Sequence, residues 1–226
     1  MATLSDKKIL QSWHKNVSPW TAAIQDKAIP SRILVTDQAI TDTVASLQPE
    51  TVLDIGCGEG WLARSLADRG MKVTGIDAVA GLIDKARRLS AVQIAYEQIA
   101  YEELSATRIT DRYDLAVCNF SLLGKESVEH VLKTIPQLLN PGGHFVVQTL
   151  HPLISCGESA YEDSWREGSW AGFSDEFTDP APWYFRTIES WTELFVSNGL
   201  SIQQLKEPVH PESGQPASLI IVSSVP

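Results

Sequence analysis

The sequence predicts an α/β fold, a doubly wound, seven-stranded, mostly parallel sheet whose last strand runs antiparallel. Three observations predict it. From Thr51 to Leu150, short apolar runs alternate with helical patterns, as βαβ units with buried parallel strands do. The first run breaks into a glycine loop, Gly56-Cys57-Gly58-Glu59-Gly60, that feeds a helix. The chain closes on two strand-like runs, Ile202 to Leu205 and Ser218 to Ser223, joined by the Pro- and Gly-containing turn Glu207 to Pro216.

In chain order, Ile9-Leu10 with Trp13 marks a short amphipathic helix, and Ser18-Pro19-Trp20 starts another with a cap and a first-turn proline. A third helix is expected from Thr36 to Leu47. Val52 to Ile55 reads as the first strand, and the helix Trp61 to Arg69 ends on the stop signal Gly70. Met71 to Asp77 is the second strand, and Ala80 to Leu89 is the helix that follows. Ala91 to Gln98 and Tyr113 to Phe120 are the third and fourth strands. The helix Glu126 to Leu139 is expected to stop at the turn Asn140-Pro141-Gly142-Gly143, before strand five, His144 to Leu150. Thr187 to Asn198 is the last helix. One domain over 1–226 results, with a helical cap (1–48), a cofactor-binding core (49–150), a lid insertion (151–186) and a last helix with its hairpin (187–226).

The glycine loop carries the chemistry. Gly56, Gly58 and Gly60 allow a tight turn and close approach of a ligand. The helix behind them offers free N–H groups and a positive dipole end. Dinucleotide sites use G-x-G-x-x-G, with pyrophosphate on the helix. This loop is Asp54-x-Gly56-x-Gly58-x-Gly60, and the acid beside it repels pyrophosphate but suits an ammonium group. Here the chain resembles the class I S-adenosylmethionine-dependent methyltransferases, whose first motif is an acid followed by G-x-G-x-G. The resemblance covers residues 45–225, ubiquinone-biosynthesis-like in its core, and its closing hairpin separates it from dehydrogenase folds.

The resemblance implies a Rossmann-like methyltransferase fold, S-adenosyl-L-methionine as cofactor and S-adenosyl-L-homocysteine as product. It assigns Asp54, Gly56, Cys57, Gly58 and Gly60 to the cofactor, and Asp77, with Ala78 after it, to the ribose hydroxyls. Asp77 also reads as a helix N-cap. Ala100 and Tyr101 stand where the family often has an acid over the adenine, so Tyr101 is expected to stack there. Asn119-Phe120-Ser121-Leu122 ends strand four, with Asn119 expected in the pocket and Phe120 beside the sulfonium. Its lack of the Asn/Asp-Pro-Pro-aromatic tetrad argues against adenine or glutamine amide as acceptor. Arg32, in Ile29-Pro30-Ser31-Arg32, is the candidate for the methionine carboxylate, with a surface salt bridge as the alternative.

The acceptor side is expected in the lid. Residues 151–186 hold many aromatics, of which Tyr161, Trp170, Trp183 and Tyr184, with Arg186 for a carboxylate, are candidate substrate contacts. Such a cap excludes water from the methyl group. The same aromatics also read as a homodimer contact, and the acids around them as a solvated loop or a lure for an amine. His151 is the candidate base, or alternatively a structural strand end.

Composition narrows the partners. A net charge of −10 argues against nucleic acid, which binds through Lys and Arg. No stretch approaches a membrane span and no secretory signal is visible. Cys57, Cys118 and Cys156 are odd in number and too dispersed for a metal site. The simplest reading is a reduced, cytoplasmic, metal-independent enzyme that methylates O, N or C of a small molecule by in-line displacement. A cofactor-binding partner or regulatory protein without turnover is the alternative, and an NAD(P)-binding oxidoreductase is disfavoured by the glycine spacing.

Overall fold

The computed structural model describes residues 4–91 and 94–226. Seven strands form one sheet: β1 (Thr51–Ile55), β2 (Lys72–Asp77), β3 (Ala95–Gln98), β4 (Tyr113–Asn119), β5 (Leu139–Thr149), β8 (Ser201–Lys206) and β9 (Leu219–Ser224). Their spatial order is β3-β2-β1-β4-β5-β9-β8. β1 to β5 pair in parallel, and β9 runs antiparallel to both neighbours, as the closing hairpin predicts. The tips of β1 and β4 lie side by side where the order reverses, the place at which such sheets bind ligands.

Both faces of the sheet are covered, which explains the unbroken apolar runs. Leu53 and Ile55 join Ile76, Ala116, Phe145 and Val147 in one core, against α6 (Glu126–Leu138) and α8 (Ile188–Ser197). Val52 joins Val117, Val146, Leu62 and Ile83 in the other, against α3 (Asp37–Ser46), α4 (Trp61–Ala67) and α5 (Ala80–Leu89). Each such side chain, once fully buried, contributes about 1.5–3 kcal/mol.

Three expectations need correction. Asn140 to Gly143 does not leave the sheet, because β5 starts at Leu139 and carries these residues as an irregularity opposite β4. The segment is held from both sides. Asn140 Nδ2 donates to Asp114 Oδ1 (2.8 Å), and the Val225 N–H donates to the Gly143 carbonyl (3.0 Å). The second helix, α2 (Val17–Gln25), starts before Ser18, with Asn16 as its N-cap. The third helix, α3, lies where it is expected, behind a π-helical turn, Arg32–Thr36. The third strand starts at Ala95 and not at Ala91, since Ala91 and Ile94 lie before it, and Val92 and Gln93 of the expected strand lie outside the described residues.

The lid contains a single helical turn, α7 (Pro152–Ser155), and a two-stranded ribbon of β6 (Ser164–Arg166) with β7 (Trp183–Phe185). It is fastened to α1 (Asp6–Lys15). Asn16, fully buried, donates from Nδ2 to the Thr178 carbonyl (2.8 Å) and accepts from the Thr178 N–H (2.9 Å). Asp179 pairs with Lys8 and Lys15 of the same helix.

Candidate functional site

The glycine loop adopts the conformation its composition requires. Gly56 (φ +73°), Gly58 (φ +58°) and Gly60 (φ +84°) are all left-handed. A Cβ on Gly56 would lie 2.4 Å from both the Ser121 Cβ and the Tyr101 hydroxyl, so the β4 tip packs directly on the loop. A Cβ on Gly58 would meet only Trp20 Nε1, at 3.8 Å, because this glycine borders open space.

That space is a cavity of about 310 Å³, at the small end of ligand sites. Its floor is Gly56 to Glu59 with Asp77, Ala78 and Val79, whereas Asp54 and Gly60 stand behind the lining residues. One wall is Asn119 to Ser121 with Tyr101 and Glu102. Its roof comes from Ile9, Leu10 and Trp13 of α1, Trp20 of α2, and Phe173 of the lid.

Asp77 ends β2 at the cavity. Its Oδ2 accepts from the Gly58 N–H (3.0 Å) and its Oδ1 from the Val79 N–H (2.8 Å). The N-cap of α5 is Val79, so Asp77 stands outside the cap position. Burial raises its carboxyl pKa, opposed by those two N–H groups. Each oxygen keeps a second lone pair for a ligand hydroxyl.

Asp54 is 1% exposed and its Oδ2 has no partner among the described residues. Desolvation, then the neighbouring charges of Asp77 and Glu59, push its pKa from 3.8 up to about 8. Glu59 is fully buried as well, with Oε2 on Arg64 Nη2 (2.6 Å) and Oε1 unpartnered. Two buried carboxyl groups with free acceptor atoms behind a glycine loop fit a ligand that brings cationic or N–H groups. The residues present therefore fit the cofactor that the loop spacing implies.

Tyr101 lines the cavity, and its hydroxyl donates to the Ser121 carbonyl (3.1 Å). The Ser121 hydroxyl in turn donates to the Ile55 carbonyl (2.8 Å), tying the tips of β4 and β1 together. Ala100 does not line the cavity. Its N–H is taken by Glu103 Oε2 (3.0 Å), and Glu102 stands at the wall instead. Asn119 is a wall residue whose Oδ1 is buried without a partner. Phe120 is left-handed (φ +51°), a conformation costly for a bulky residue and concentrated at functional sites.

Arg32 reaches the cavity with its fork engaged. Nε and Nη2 lie 2.9 and 3.3 Å from the Asp37 carboxylate, and the guanidinium stacks 4.4 Å above Trp61. The salt bridge given as the alternative for Arg32 is thus present, although it lies at the cavity rather than on the open surface.

The residues expected to touch the acceptor stand off this cavity. Tyr161, Trp170, Trp183, Tyr184 and Arg186 are absent from the cavity wall, and so is His151. His151 is 2% exposed, with Nε2 2.7 Å from Glu207 Oε1 of the turn after β8. Arg186 is buried, donating from Nη1 to the Gly124 carbonyl (2.8 Å) and from Nη2 to the Lys125 carbonyl (3.0 Å). Its guanidinium lies against the rings of Tyr184 and Trp191. The Tyr184 N–H donates to the Leu123 carbonyl (2.7 Å). Tyr161 and Trp183 pack edge-on against Phe185. Arg186 and Tyr184 therefore brace the loop 123–125, of which Leu123 and Gly124 line the cavity. Trp170 buttresses Trp13 and Phe173.

The helical cap expected over 1–48 supplies the roof, but Trp13 and Trp20 are not among the residues expected at the site. Trp13 and Trp20 sit on short amphipathic helices, where aromatic residues ordinarily signal core. Their only distinguishing signal is two tryptophans within eight residues, ahead of a core that already has its own apolar faces.

Sheet order, the reversed β9 and an acid-led glycine loop at the β1 tip define a Rossmann-like cofactor-binding fold. Residues 34–205 match the family model described as a methyltransferase domain, and the chain belongs to that family. It is similar to the ubiquinone biosynthesis O-methyltransferase of Rickettsia canadensis, 26% identical over 214 residues, 89% of this chain and 86% of that one. The enzyme of the same name from Aeromonas salmonicida is 36% identical over 115 residues, 50% of this chain and 48% of that one. The chain thus spans about half the length of several curated relatives it matches. Among solved structures, the fold resembles an S-adenosylmethionine-dependent methyltransferase from Mesorhizobium loti (TM-score 0.64, 23% identity, 81% of this chain and 96% of that one). A glycopeptide N-methyltransferase complexed with S-adenosyl-L-homocysteine shares it too (TM-score 0.64, 13% identity, 82% and 87%).

Proposed function

We propose that this chain transfers the methyl group of S-adenosyl-L-methionine to a small-molecule acceptor, releasing S-adenosyl-L-homocysteine. One observation carries the reading. The Asp77 carboxylate is held by N–H groups of the glycine loop and of Val79, on the floor of a cavity that the tip of β4 also walls. The cofactor supplies a methyl group on a cationic sulfur, so little activation is asked of the protein. Its residues bind, orient and exclude water, which is where most of the acceleration would come from.

In this reading Asp77 accepts from the ribose hydroxyls, and Tyr101, Ala78 and Leu82 flank the base. Asp54 and Glu59 face the amino-acid end through the loop, and Asn119 and Phe120 border the reacting centre. The names of the curated relatives support methyl transfer, and the apolar roof supports a small acceptor rather than a polymer. No helix among the described residues is long and apolar enough to cross a membrane. We infer a cytoplasmic setting, which three unpaired cysteines support, and a single functional unit over the whole chain.

Calorimetric titration with S-adenosylmethionine, and separately with NAD, tests the proposal. Binding of the first alone, lost in Asp77→Ala, is expected. Failure to bind S-adenosylmethionine at millimolar concentration would overturn it.

A further inference from the structure

We propose that the methyl acceptor is an amine on an apolar or aromatic skeleton, seated under Trp13, Trp20 and Phe173 and methylated on nitrogen. This rests on the methyl-transfer reading above, and four features of the cavity carry it.

The first is the roof. The Trp13 and Trp20 rings meet edge to face at 5.1 Å, and Phe173 lies 6.5 Å from Trp20. Aromatic faces attract an alkylammonium, and an apolar skeleton fits the remainder of the roof.

The second is charge. Asp6, Glu59, Asp77 and Glu102 line the cavity, and among the described residues no lysine or histidine does. Arg32 is the one cationic lining residue among them, and its fork is spent on Asp37 and its face on Trp61. With Asp77 and Glu59 given to the cofactor and both oxygens of Asp6 engaged by backbone N–H groups, Glu102 is the lining acid left to the acceptor, and an amine would find it beside the π faces of the roof.

The third concerns proton removal: among the described residues no histidine lines the cavity, which leaves carboxylates and water as the proton acceptors. A phenol ionises near pH 10 and must lose its proton before or during attack. His151 lies outside the wall, and His14 of α1 is exposed and not a lining residue. Both oxygens of Asp6 are occupied, by the N–H groups of Lys125 (2.8 Å) and Ser127 (2.7 Å). Burial holds the Tyr101 hydroxyl and the Cys57 thiol in their protonated forms.

The alkylammonium that the roof attracts must also lose a proton, to water or to the Glu102 carboxylate on the wall, and the neutral amine then attacks. Its lone pair forms the new N–C bond as the C–S bond breaks, and the bonding pair remains on sulfur. The positive charge passes from sulfur to nitrogen, and the product ammonium then gives a proton to water. The cavity keeps the same total charge throughout the transfer, which suits its carboxylates and rings.

The fourth feature is Asn119 Oδ1, buried in the wall at the β4 tip without a partner among the described residues. An acceptor atom there calls for an N–H donor.

Binding to the protein loaded with S-adenosylhomocysteine, read by tryptophan fluorescence, tests this. Three ligands of similar skeleton are compared: phenethylamine, 3-phenylpropionate and catechol. Phenethylamine is expected to bind at least about tenfold more tightly than either of the others, and Trp13→Leu is expected to weaken it about tenfold. With S-adenosylmethionine bearing a labelled methyl group, label should appear on nitrogen. Equal or tighter binding of the carboxylate or catechol, or no binding of the amine to loaded protein, would overturn the proposal. Failure of S-adenosylhomocysteine itself to bind would instead overturn the methyl-transfer reading beneath it.

Discussion

Asp54 offers the sharpest test of the electrostatics of the site. Its carboxyl is 1% exposed, and burial with two neighbouring acids raises its pKa from 3.8 to about 8. Between those values the folded protein holds a proton that the unfolded chain releases, so stability falls as pH rises through this window. Each pH unit costs about 1.4 kcal/mol, so a rise from pH 5 to pH 7 removes about 3 kcal/mol. Asp54→Asn keeps the shape and removes the titration. Urea unfolding of both proteins at pH 5 and pH 7 should show the variant gaining on the parent by about 3 kcal/mol over that interval. A ligand ammonium beside Asp54 would reverse the preference and ionise the carboxyl. Calorimetry in buffers of different ionisation enthalpy should then show release of about one proton per S-adenosylmethionine bound at pH 7, absent in Asp54→Asn. If parent and variant lose stability equally between pH 5 and pH 7, the slope does not come from Asp54 and the reasoning fails.

Two further predictions concern packing. Gly56→Ala combines a left-handed backbone with a Cβ 2.4 Å from Ser121 and Tyr101. It should lower stability by about 2–4 kcal/mol and abolish cofactor binding, and a thermal midpoint within a degree or two of the parent would contradict the close packing of the loop on the β4 tip. Arg186→Ala takes the donor from the Gly124 carbonyl, leaves the Lys125 carbonyl with only the Glu129 N–H, and should cost about 2–4 kcal/mol in denaturant unfolding. Arg186→Lys should recover less than about half of that loss, because an ammonium cannot span both carbonyls as the guanidinium fork does.

The parts of the fold legible in the sequence are those fixed by local signals. Gly56, Gly58 and Gly60 demand a left-handed loop wherever they stand, and Gly70 and Gly199 end helices by the same property. Thr187 reads as the start of the last helix, and its hydroxyl accepts from the Ser190 N–H (3.0 Å) as the N-cap of α8. Asn140 to Gly143 carries equally strong turn chemistry, yet Asp114 and Val225, both distant in sequence, draw it into the sheet. The site divides the same way. Asp54 and Asp77 lie at fixed offsets from the glycine loop, so their location follows from spacing. Trp13, Trp20 and Phe173 meet only through tertiary packing, and nothing near them in sequence announces a common cavity. Arg186 and Tyr184 read as substrate contacts because aromatic and cationic residues in a lid suggest one. Their partners, the carbonyls of residues 123–125, leave no mark in the sequence.

The seam between Asn16 and Thr178 has a consequence for how the chain acquires its shape. The helices α1 and α2 are made first, but Asn16 finds its partner only after another 162 residues. Asp6, likewise, caps the start of α6 121 residues later. Contacts this distant are slow to close, because the loop entropy must be met before they return any stability. The α/β core has its own two apolar clusters and can condense without them. The roof is therefore expected to be the last part to assemble and the first to open, a cooperative unit of lower stability than the sheet. In native-state hydrogen exchange its amides should exchange ahead of β1 and β4, and a ligand clasped between roof and floor should slow them most.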